Sequence, residues 1–180
     1  MYRYKWNELL AVCSSMIRPK RILEKLKILS PSKNQTYDEN GICIFCRYAQ
    51  TGERIIYEDE LVAAFVDRKT IAKDYLQIIP KRHIKNIYDL SPQDIPLLLH
   101  MWDTGQRLLQ DRHPNQKYIF GFHVPPRNSI DHLHMHCIVP PIKSFFGKIV
   151  HSNYFWLMSP EDLLFKIQHE STRKPRKIKI

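Results

Sequence analysis

One short segment holds the residues of this chain that are best suited to chemistry. It reads His132-Leu133-His134-Met135-His136, so that three histidines alternate with apolar residues. Residues i, i+2 and i+4 of a β-strand point to one face of the sheet, and we therefore expect three neighbouring imidazoles in one row. Such a row suits metal coordination, or nucleophilic and acid–base chemistry near neutral pH. The alternative is the solvated polar face of an amphipathic strand.

A second candidate is the C-x-x-C spacing of Cys43 and Cys46. Alone, this spacing fits two small buried thiols as well as it fits half of a metal site. The chain has only four cysteines and no secretory signal pattern. These features predict free thiols in a reducing cytoplasm, with access to the nucleus left open.

The composition limits the kind of protein that must position these residues. A chain of 180 residues suffices for one domain of ordinary size, and 43% hydrophobic with 26% charged residues is typical of a globular protein. No apolar run approaches the roughly 20 residues of a membrane-spanning helix. We therefore expect one folded domain and no transmembrane segment.

The formal net charge of +10 is concentrated at the two ends of the chain. Residues 1–40 contain eight basic and four acidic residues, and residues 165–180 contain six basic residues and one acidic residue. Residues 41–164 are nearly neutral, with fourteen basic and thirteen acidic residues. The pattern predicts a basic N-terminal extension (1–40), a folded domain (41–168) and a basic C-terminal tail (169–180). The tails either bind nucleic acid or an anionic surface, or are simply solvated.

The predicted elements describe an α+β domain. Apolar patterns predict strands near residues 54–57, 61–66, 75–79, 117–123 and 130–139. Ser91-Pro92 predicts the start of a helix of about five turns, and Ser159-Pro160 predicts the start of a shorter one. Since no repeated βαβ pattern is present, we expect a single antiparallel sheet with one long helix and one or two short helices.

The histidine segment, extended by Cys137-Ile138, resembles the pattern His-x-His-x-His-x-x of the histidine triad family, in which x is apolar. All seven positions match. The resemblance runs from about Cys43 to Ile167, and it is closest to the adenosine 5′-monophosphoramidase branch. Three further segments support it, namely 80–84, 121–126 with Ser129, and 153–156. The implied histidine triad fold agrees with the α+β architecture expected above.

This resemblance implies a hydrolase that cleaves the P–N bond of adenosine 5′-monophosphoramidates and releases AMP and an amine. His134 matches the nucleophile, which forms a covalent nucleotidyl-histidine, and His136 matches a residue that binds the phosphate oxygens. Ser129 matches the position that contacts the leaving group. Splitting one displacement into two steps is ordinary covalent catalysis, and no cofactor is required for it.

The resemblance also implies a set of nucleotide-binding residues. Asp67 matches a carboxylate that accepts the ribose hydroxyls; on its own it reads as an acid that ends a strand. The other members of the set are Arg68, Ile44, Phe45, Tyr48, Phe65, His132, His134 and His136. Arg68 and Tyr75 depart from the family, which usually has an apolar residue and a histidine at these two positions. The departures leave the catalytic rate and the base preference open.

Some histidine triad proteins bind a structural zinc ion through a C-x-x-C pair, the histidine of a Pro-Lys-x-His segment and the first triad histidine. Cys43, Cys46, His83 and His132 match these four ligands, so the resemblance implies a tetrahedral zinc site. The competing arrangement keeps all three triad histidines around the phosphate and leaves the two thiols merely buried.

The main alternative function is a non-catalytic nucleotide- or nucleic-acid-binding module that has the same fold and uses the basic tails. Removal of adenylate from nucleic-acid ends is a further alternative within the superfamily. The expected small-molecule partner is a purine nucleotide of the AMP type. A homodimer is implied by the resemblance only.

Overall fold

The computed structural model describes residues 36–68, 72–143 and 157–170. The predictions for most of the N-terminal extension, for the supporting segment 153–156 and for residues 171–180 of the basic tail lie outside the described residues. Within the described ranges, no helix is long and apolar enough to span a membrane.

One antiparallel sheet forms the centre of the described part of the chain. Its six strands are β1 (Ile55–Glu58), β2 (Val62–Val66), β3 (Asp74–Pro80), β4 (Ile119–His123), β5 (Met135–Val139) and β6 (Leu157–Met158). Their order across the sheet is β1-β2-β3-β5-β4-β6, and all neighbours are antiparallel. The α-helices described are α1 (Ile44–Thr51), α2 (Ile95–Arg112) and α3 (Pro160–Glu170), with short 3-10 turns at Ile87–Asp89 and Pro92–Asp94. The expected α+β class with a single antiparallel sheet is confirmed.

The predicted start signal at Ser91-Pro92 opens a 3-10 turn (Pro92–Asp94), and the long helix α2 begins directly after it, at Ile95. The Asp94 carboxylate accepts hydrogen bonds from the hydroxyl and the backbone N–H of Ser91, which forms a capping box before the first turn. A Cβ added to Gly105 of α2 would come within 2.9 Å of the Cys137 sulfur. The glycine therefore lets the helix pack directly against β5.

The two faces of the sheet differ. One face packs against α2 and α3 and forms the main apolar core, which includes Ile78 of β3 and Met135 of β5. On the opposite face, Gln77 of β3 lies between Phe65 of β2 and His136 of β5 in the cross-strand register. Helix α1 packs on this opposite face near Phe65. The opposite face therefore carries the polar residues of interest.

Strand β5 begins later than predicted. Strand structure was expected from residue 130, but β5 begins at Met135. The backbone N–H of Leu133 donates to the carbonyl of Ile84 at 2.6 Å instead of to a neighbouring strand, and the side chain of His134 bonds the carbonyl of His132. The alternation of side chains nevertheless continues through this segment, because Leu133 and Met135 both enter the main core.

Other boundaries differ by smaller amounts. β1 starts at Ile55 rather than at residue 54, because Arg54 has a positive φ of 65°, which is incompatible with the backbone conformation of a β-strand. β4 starts at residue 119 rather than 117. Tyr37 forms an isolated bridge with Cys43, so residues 36–40, which we assigned to the extension, contact the domain.

Candidate active site

His134 lies directly before β5, with only 5% of the residue exposed. Its Nδ1 lies 2.6 Å from the backbone carbonyl oxygen of His132. A carbonyl oxygen can only accept, so Nδ1 carries the proton and Nε2 keeps a lone pair. Burial lowers the pKa of His134, which keeps the ring neutral near pH 7. A neutral imidazole with a fixed tautomer is the form that a nucleophilic attack requires.

His136 is the nearest triad neighbour of His134. The centroids of the two rings are 4.8 Å apart, and His136 is buried on β5. Its Nδ1 contacts the hydroxyl of Tyr75 on the adjacent strand β3. The tyrosine that departs from the family pattern therefore lies behind the triad, at the position where the resemblance leads us to expect a histidine.

A histidine from outside the triad, His123, lies beside His134 and His136. His123, at the end of β4, is 9% exposed, and its ring centroid lies 4.3 Å from that of His136 and 6.5 Å from that of His134. Our sequence reasoning used His123 only as part of a supporting segment and assigned it no role. His123 lies two residues after Gly121, and Gly121 is paired with His136 in the register of β4 and β5. This register cannot be read from the sequence.

His132 belongs to a different cluster. It is fully buried, and its Nδ1 lies 3.5 Å from the sulfur of Cys43 and 3.4 Å from the sulfur of Cys46. Its Nε2 lies 2.9 Å from the carbonyl oxygen of Pro80, so Nε2 carries the proton and Nδ1 presents a lone pair to the sulfurs. The row of three imidazoles expected from the sequence is therefore divided. The rings of His134 and His136 are neighbours, whereas the ring of His132 lies with the two cysteines.

The cysteine cluster has the composition and spacing of a zinc site. The ligand atoms of Cys43, Cys46, His83 and His132 all lie within 4.8 Å of one another, and the Cys46 sulfur lies 3.2 Å from Nδ1 of His83. Tetrahedral Zn–S and Zn–N bonds of ordinary length separate the donor atoms by about 3.3–3.8 Å. The contact to Pro80 supplies the outer hydrogen bond that orients a metal-binding histidine. The residues present therefore fit the ion that the resemblance implies.

Aromatic rings lead away from His134 on the same face of the sheet. The centroid of Phe45 lies 5.4 Å from that of His134 and 5.1 Å from that of Phe65. Tyr48 meets Phe65 edge-on at 5.6 Å. Ile44 is half-buried and packs against the same cluster. The structure therefore brings the four apolar residues of the expected base slot together beside His134.

Asp67 and Gln77 form a polar contact between this slot and His136. Asp67 follows β2 and is half-buried, and its carboxylate accepts a hydrogen bond from the side-chain amide of Gln77. Gln77 is 8% exposed, and its amide oxygen has no hydrogen-bond partner among the described residues. We assigned no role to Gln77 from the sequence, although a polar residue inside an apolar strand was an available signal.

Arg68 adds positive charge at the outer end of the slot. Its guanidinium and that of Arg54 each lie 3.5 Å from the hydroxyl oxygen of Tyr48, and Arg54 also donates to the carbonyl of Val66 at 3.2 Å. Within residues 36–68, 72–143 and 157–170, neither arginine forms an ion pair. The expected base slot is therefore an apolar cluster with a cationic edge.

Ser129 is half-buried in the loop before His134. Its side chain makes no hydrogen bond to another residue in the part of the chain that the structure describes. A narrow cleft in the same region is lined by His123, Asn128, His134 and Lys85, among others. A role for Ser129 at a leaving group therefore stays a prediction.

Known proteins resemble the chain over this region. Residues 42–151 match the family model described as "Scavenger mRNA decapping enzyme C-term binding". The adenosine 5′-monophosphoramidase HINT3 of Mus musculus is 30% identical over 148 residues, which cover 77% of this chain and 89% of that protein. The bifunctional adenosine 5′-phosphosulfate phosphorylase/adenylylsulfatase HINT4 of Arabidopsis thaliana is 44% identical over 106 residues, which cover 57% of this chain and 73% of that protein.

Solved structures give the same result. A HIT family hydrolase from Legionella pneumophila Philadelphia 1 superposes with a TM-score of 0.53 and 30% identity, over 58% of this chain and 97% of that chain. A HIT family protein from Bacillus subtilis gives a TM-score of 0.52 and 26% identity, over 75% and 99% of the two chains. The family model covers more than half of this chain and includes both histidine clusters. The chain therefore belongs to the histidine triad (HIT) family of nucleotide hydrolases.

Proposed function

We propose that this protein is a nucleoside phosphoramidase, which hydrolyses adenosine 5′-monophosphoramidates through a covalent nucleotidyl-His134. The observation that carries the proposal is the fixed tautomer of His134, whose Nδ1 is held by the His132 carbonyl. Its Nε2 lone pair is thereby available beside a second buried imidazole, that of His136. Relatives named adenosine 5′-monophosphoramidase, such as that of Mus musculus, support the choice of reaction.

The reaction has two displacements at phosphorus. In the first, the Nε2 lone pair of His134 forms a bond to the α-phosphorus while the P–N bond breaks, and the departing amine takes up one proton. We assign the contact with this leaving group to Ser129. In the second, a water oxygen bonds to phosphorus, the bond to Nε2 breaks, and AMP leaves with the release of one proton. The proton count over the two steps is therefore balanced.

The nucleotide is proposed to lie across the opposite face of the sheet. The base occupies the slot of Ile44, Phe45, Tyr48 and Phe65, and the distance of 5.4 Å between the rings of Phe45 and His134 supports this arrangement. The ribose hydroxyls bind Asp67, since a carboxylate that receives one hydrogen bond from Gln77 retains further acceptor sites. The phosphate oxygens bind His136, and Arg68 lies at the outer edge of the base.

We further propose a structural zinc ion at Cys43, Cys46, His83 and His132. When bound, the ion would supply a closed tetrahedral cross-link and no catalytic coordination position. The cross-link joins α1 to the segment before β5, and this segment includes the carbonyl that orients His134. The four residues thus support the nucleophile indirectly.

The test is hydrolysis of a fluorogenic adenosine phosphoramidate by the purified protein. His134→Ala should reduce kcat to background while AMP binding, measured by calorimetry, is retained. His169→Ala is the matched control, because His169 is an exposed histidine on α3. Activity above a few per cent of wild type in His134→Ala would refute the assignment of the nucleophile.

A second candidate reaction is release of sulfate from adenosine 5′-phosphosulfate. The Arabidopsis thaliana relative named for this substrate is 44% identical over 106 residues. The same attack by His134 suffices, and sulfate leaves without a proton. Initial rates on the two substrates, with and without inorganic phosphate, separate the reactions, since phosphorolysis would produce ADP instead of AMP. Binding of AMP without turnover of either substrate would favour the non-catalytic module.

The quaternary state and location are also proposals. By its resemblance to the family, we propose a homodimer in the cytoplasm with access to the nucleus. Light scattering of the purified chain tests the dimer, and fluorescence microscopy of a tagged chain tests the location.

A further inference from the structure

We infer that Tyr75 is a positioning residue that couples the carboxylate of Asp67 to the imidazole of His136. The inference rests on the proposed function and deepens it. The family resemblance assigns no role to a tyrosine at this position, where it leads one to expect a histidine.

The contact between Tyr75 and His136 connects the neighbouring strands β3 and β5. Tyr75 is buried on β3, and its hydroxyl contacts Nδ1 of His136 on β5. The two ring centroids are 5.6 Å apart. They are diagonal neighbours, because the register pairs Tyr75 with Ile138 and His136 with Gln77. A diagonal position is within reach of a long aromatic side chain.

The Tyr75 hydroxyl also forms side-chain hydrogen bonds with Asp67 and Gln77, and the thiol of Cys137 lies nearby. Gln77 donates its amide hydrogen to the Asp67 carboxylate, and the backbone N–H of Asp67 donates to the carbonyl of Tyr75 at 2.8 Å. Burial and then the charge of Asp67 raise the pKa of Tyr75 well above its usual value. The phenol therefore keeps its proton and remains a hydrogen-bond donor throughout the neutral range.

This arrangement determines the proton positions. A carboxylate only accepts, so the phenol donates its proton to Asp67 and its oxygen accepts from Nδ1–H of His136. Nε2 of His136 is then the atom that meets the phosphate, and protonation there produces an imidazolium whose charge is balanced by Asp67 through the phenol. His134 and His136 thus have the same tautomer, one set by a backbone carbonyl and the other by a tyrosine.

The coupling also joins two parts of the proposed substrate. Asp67 is the proposed acceptor of the ribose hydroxyls, and His136 is the proposed ligand of the phosphate. Because both contact one buried phenol, binding of the ribose and stabilisation of charge at phosphorus share a single hydrogen-bond network. The network replaces the histidine that relatives commonly have behind the triad.

Three variants test the role of the hydroxyl. Tyr75→Phe removes only one oxygen, and Tyr75→His supplies a ring nitrogen from the same strand position. Tyr57→Phe is the matched control, since the hydroxyl of Tyr57 also donates to a carboxylate, that of Asp59 at 2.9 Å, away from the site. We expect Tyr75→Phe to lower kcat by about 10–100-fold, which is comparable to the effect of removing the outer hydrogen bond of a metal-binding histidine, with KM nearly unchanged. Tyr75→His should recover most of the loss.

A second readout is independent of turnover. Imidazole ¹⁵N shifts of the AMP complex report the tautomer of His136, which should be protonated at Nδ1 in wild type and Tyr57→Phe but mixed in Tyr75→Phe. An unchanged kcat in Tyr75→Phe, or an unchanged tautomer together with a lower melting temperature, would overturn the inference. If the wild type cleaves no phosphoramidate, the proposed function fails, while the tautomer measurement still decides the role of Tyr75.

Discussion

Replacing Cys46 with serine should weaken the fold much more than the chemistry. Cys46 is one of four donors whose ligand atoms lie within 4.8 Å of one another, and its sulfur contacts His83 and His132. Burial and the neighbouring Cys43 raise the pKa of its thiol to about 11. The metal-free thiol is therefore protonated at neutral pH, and zinc must displace that proton in order to bind.

The size of the effect follows from linkage. An ion that binds only the folded state stabilises it by about 4 kcal/mol when its free concentration exceeds Kd a thousandfold. For a domain of this size, 1 kcal/mol corresponds to about 2–4 °C in Tm. Loss of the site should therefore lower Tm by roughly 8–16 °C.

The chemistry should change little, because other contacts hold the segment before β5. Leu133 donates to the Ile84 carbonyl at 2.6 Å, and His132 retains its contact with Pro80. The carbonyl that orients His134 therefore stays in place. We expect kcat to fall by less than about tenfold, which is less than about 1.4 kcal/mol in activation free energy.

The assay combines elemental analysis, thermal melting with and without a chelator, and phosphoramidate turnover of untagged protein. Cys137→Ser is the matched control, since Cys137 is a fully buried thiol outside the cluster. That variant should melt at a lower temperature but keep the chelator sensitivity of wild type, and His134→Ala should lose turnover without losing zinc. Metal-free, fully active wild type whose Tm does not respond to the chelator would refute the reasoning.

Two further predictions concern the extension and the acid stability of the fold. Deleting residues 1–34 should leave turnover of a small substrate close to wild type, because all described site residues follow this segment. The deletion should also weaken any salt-dependent binding of nucleic acid or anionic vesicles, as measured by anisotropy. A truncated protein that is folded but inactive would contradict this prediction. Burial alone would raise the pKa of Asp59, but hydrogen bonds from two backbone amides and from His100 and Tyr57 lower it to about 2. Because this folded pKa lies below the unfolded value of about 3.9, the carboxylate stabilises the fold above pH 4 and stops doing so as the pH falls towards 2. The urea midpoint of Asp59→Asn should therefore vary less between pH 4 and pH 2 than that of wild type, and an equal variation would count against the assignment.

Local patterns predicted much of the fold correctly. The capping signal at Ser91-Pro92 predicted the 3-10 turn that leads into α2, which begins at Ile95, and apolar patterns predicted strands β1 to β5 in their order along the chain. The same alternation overestimated the length of β5, since residues 129–132 form bends and Leu133 bonds to Ile84 before the strand begins at Met135. Patterning reports which face a side chain takes, whereas the end of a strand depends on where its partner strand ends.

The identity of the triad residues, the capping of α2 and the α+β class follow from the sequence alone, because alternation and capping act between residues a few positions apart. Which side chains meet was decided by the tertiary structure. Tyr75 and His136 are 61 positions apart, and Cys46 and His132 are 86 positions apart. Such contacts depend on the register of β3 against β5 and on the position at which α1 packs on the sheet. Packing of the whole core sets both, which is why the places of His123 and Gln77 beside His136 emerged only from the folded chain.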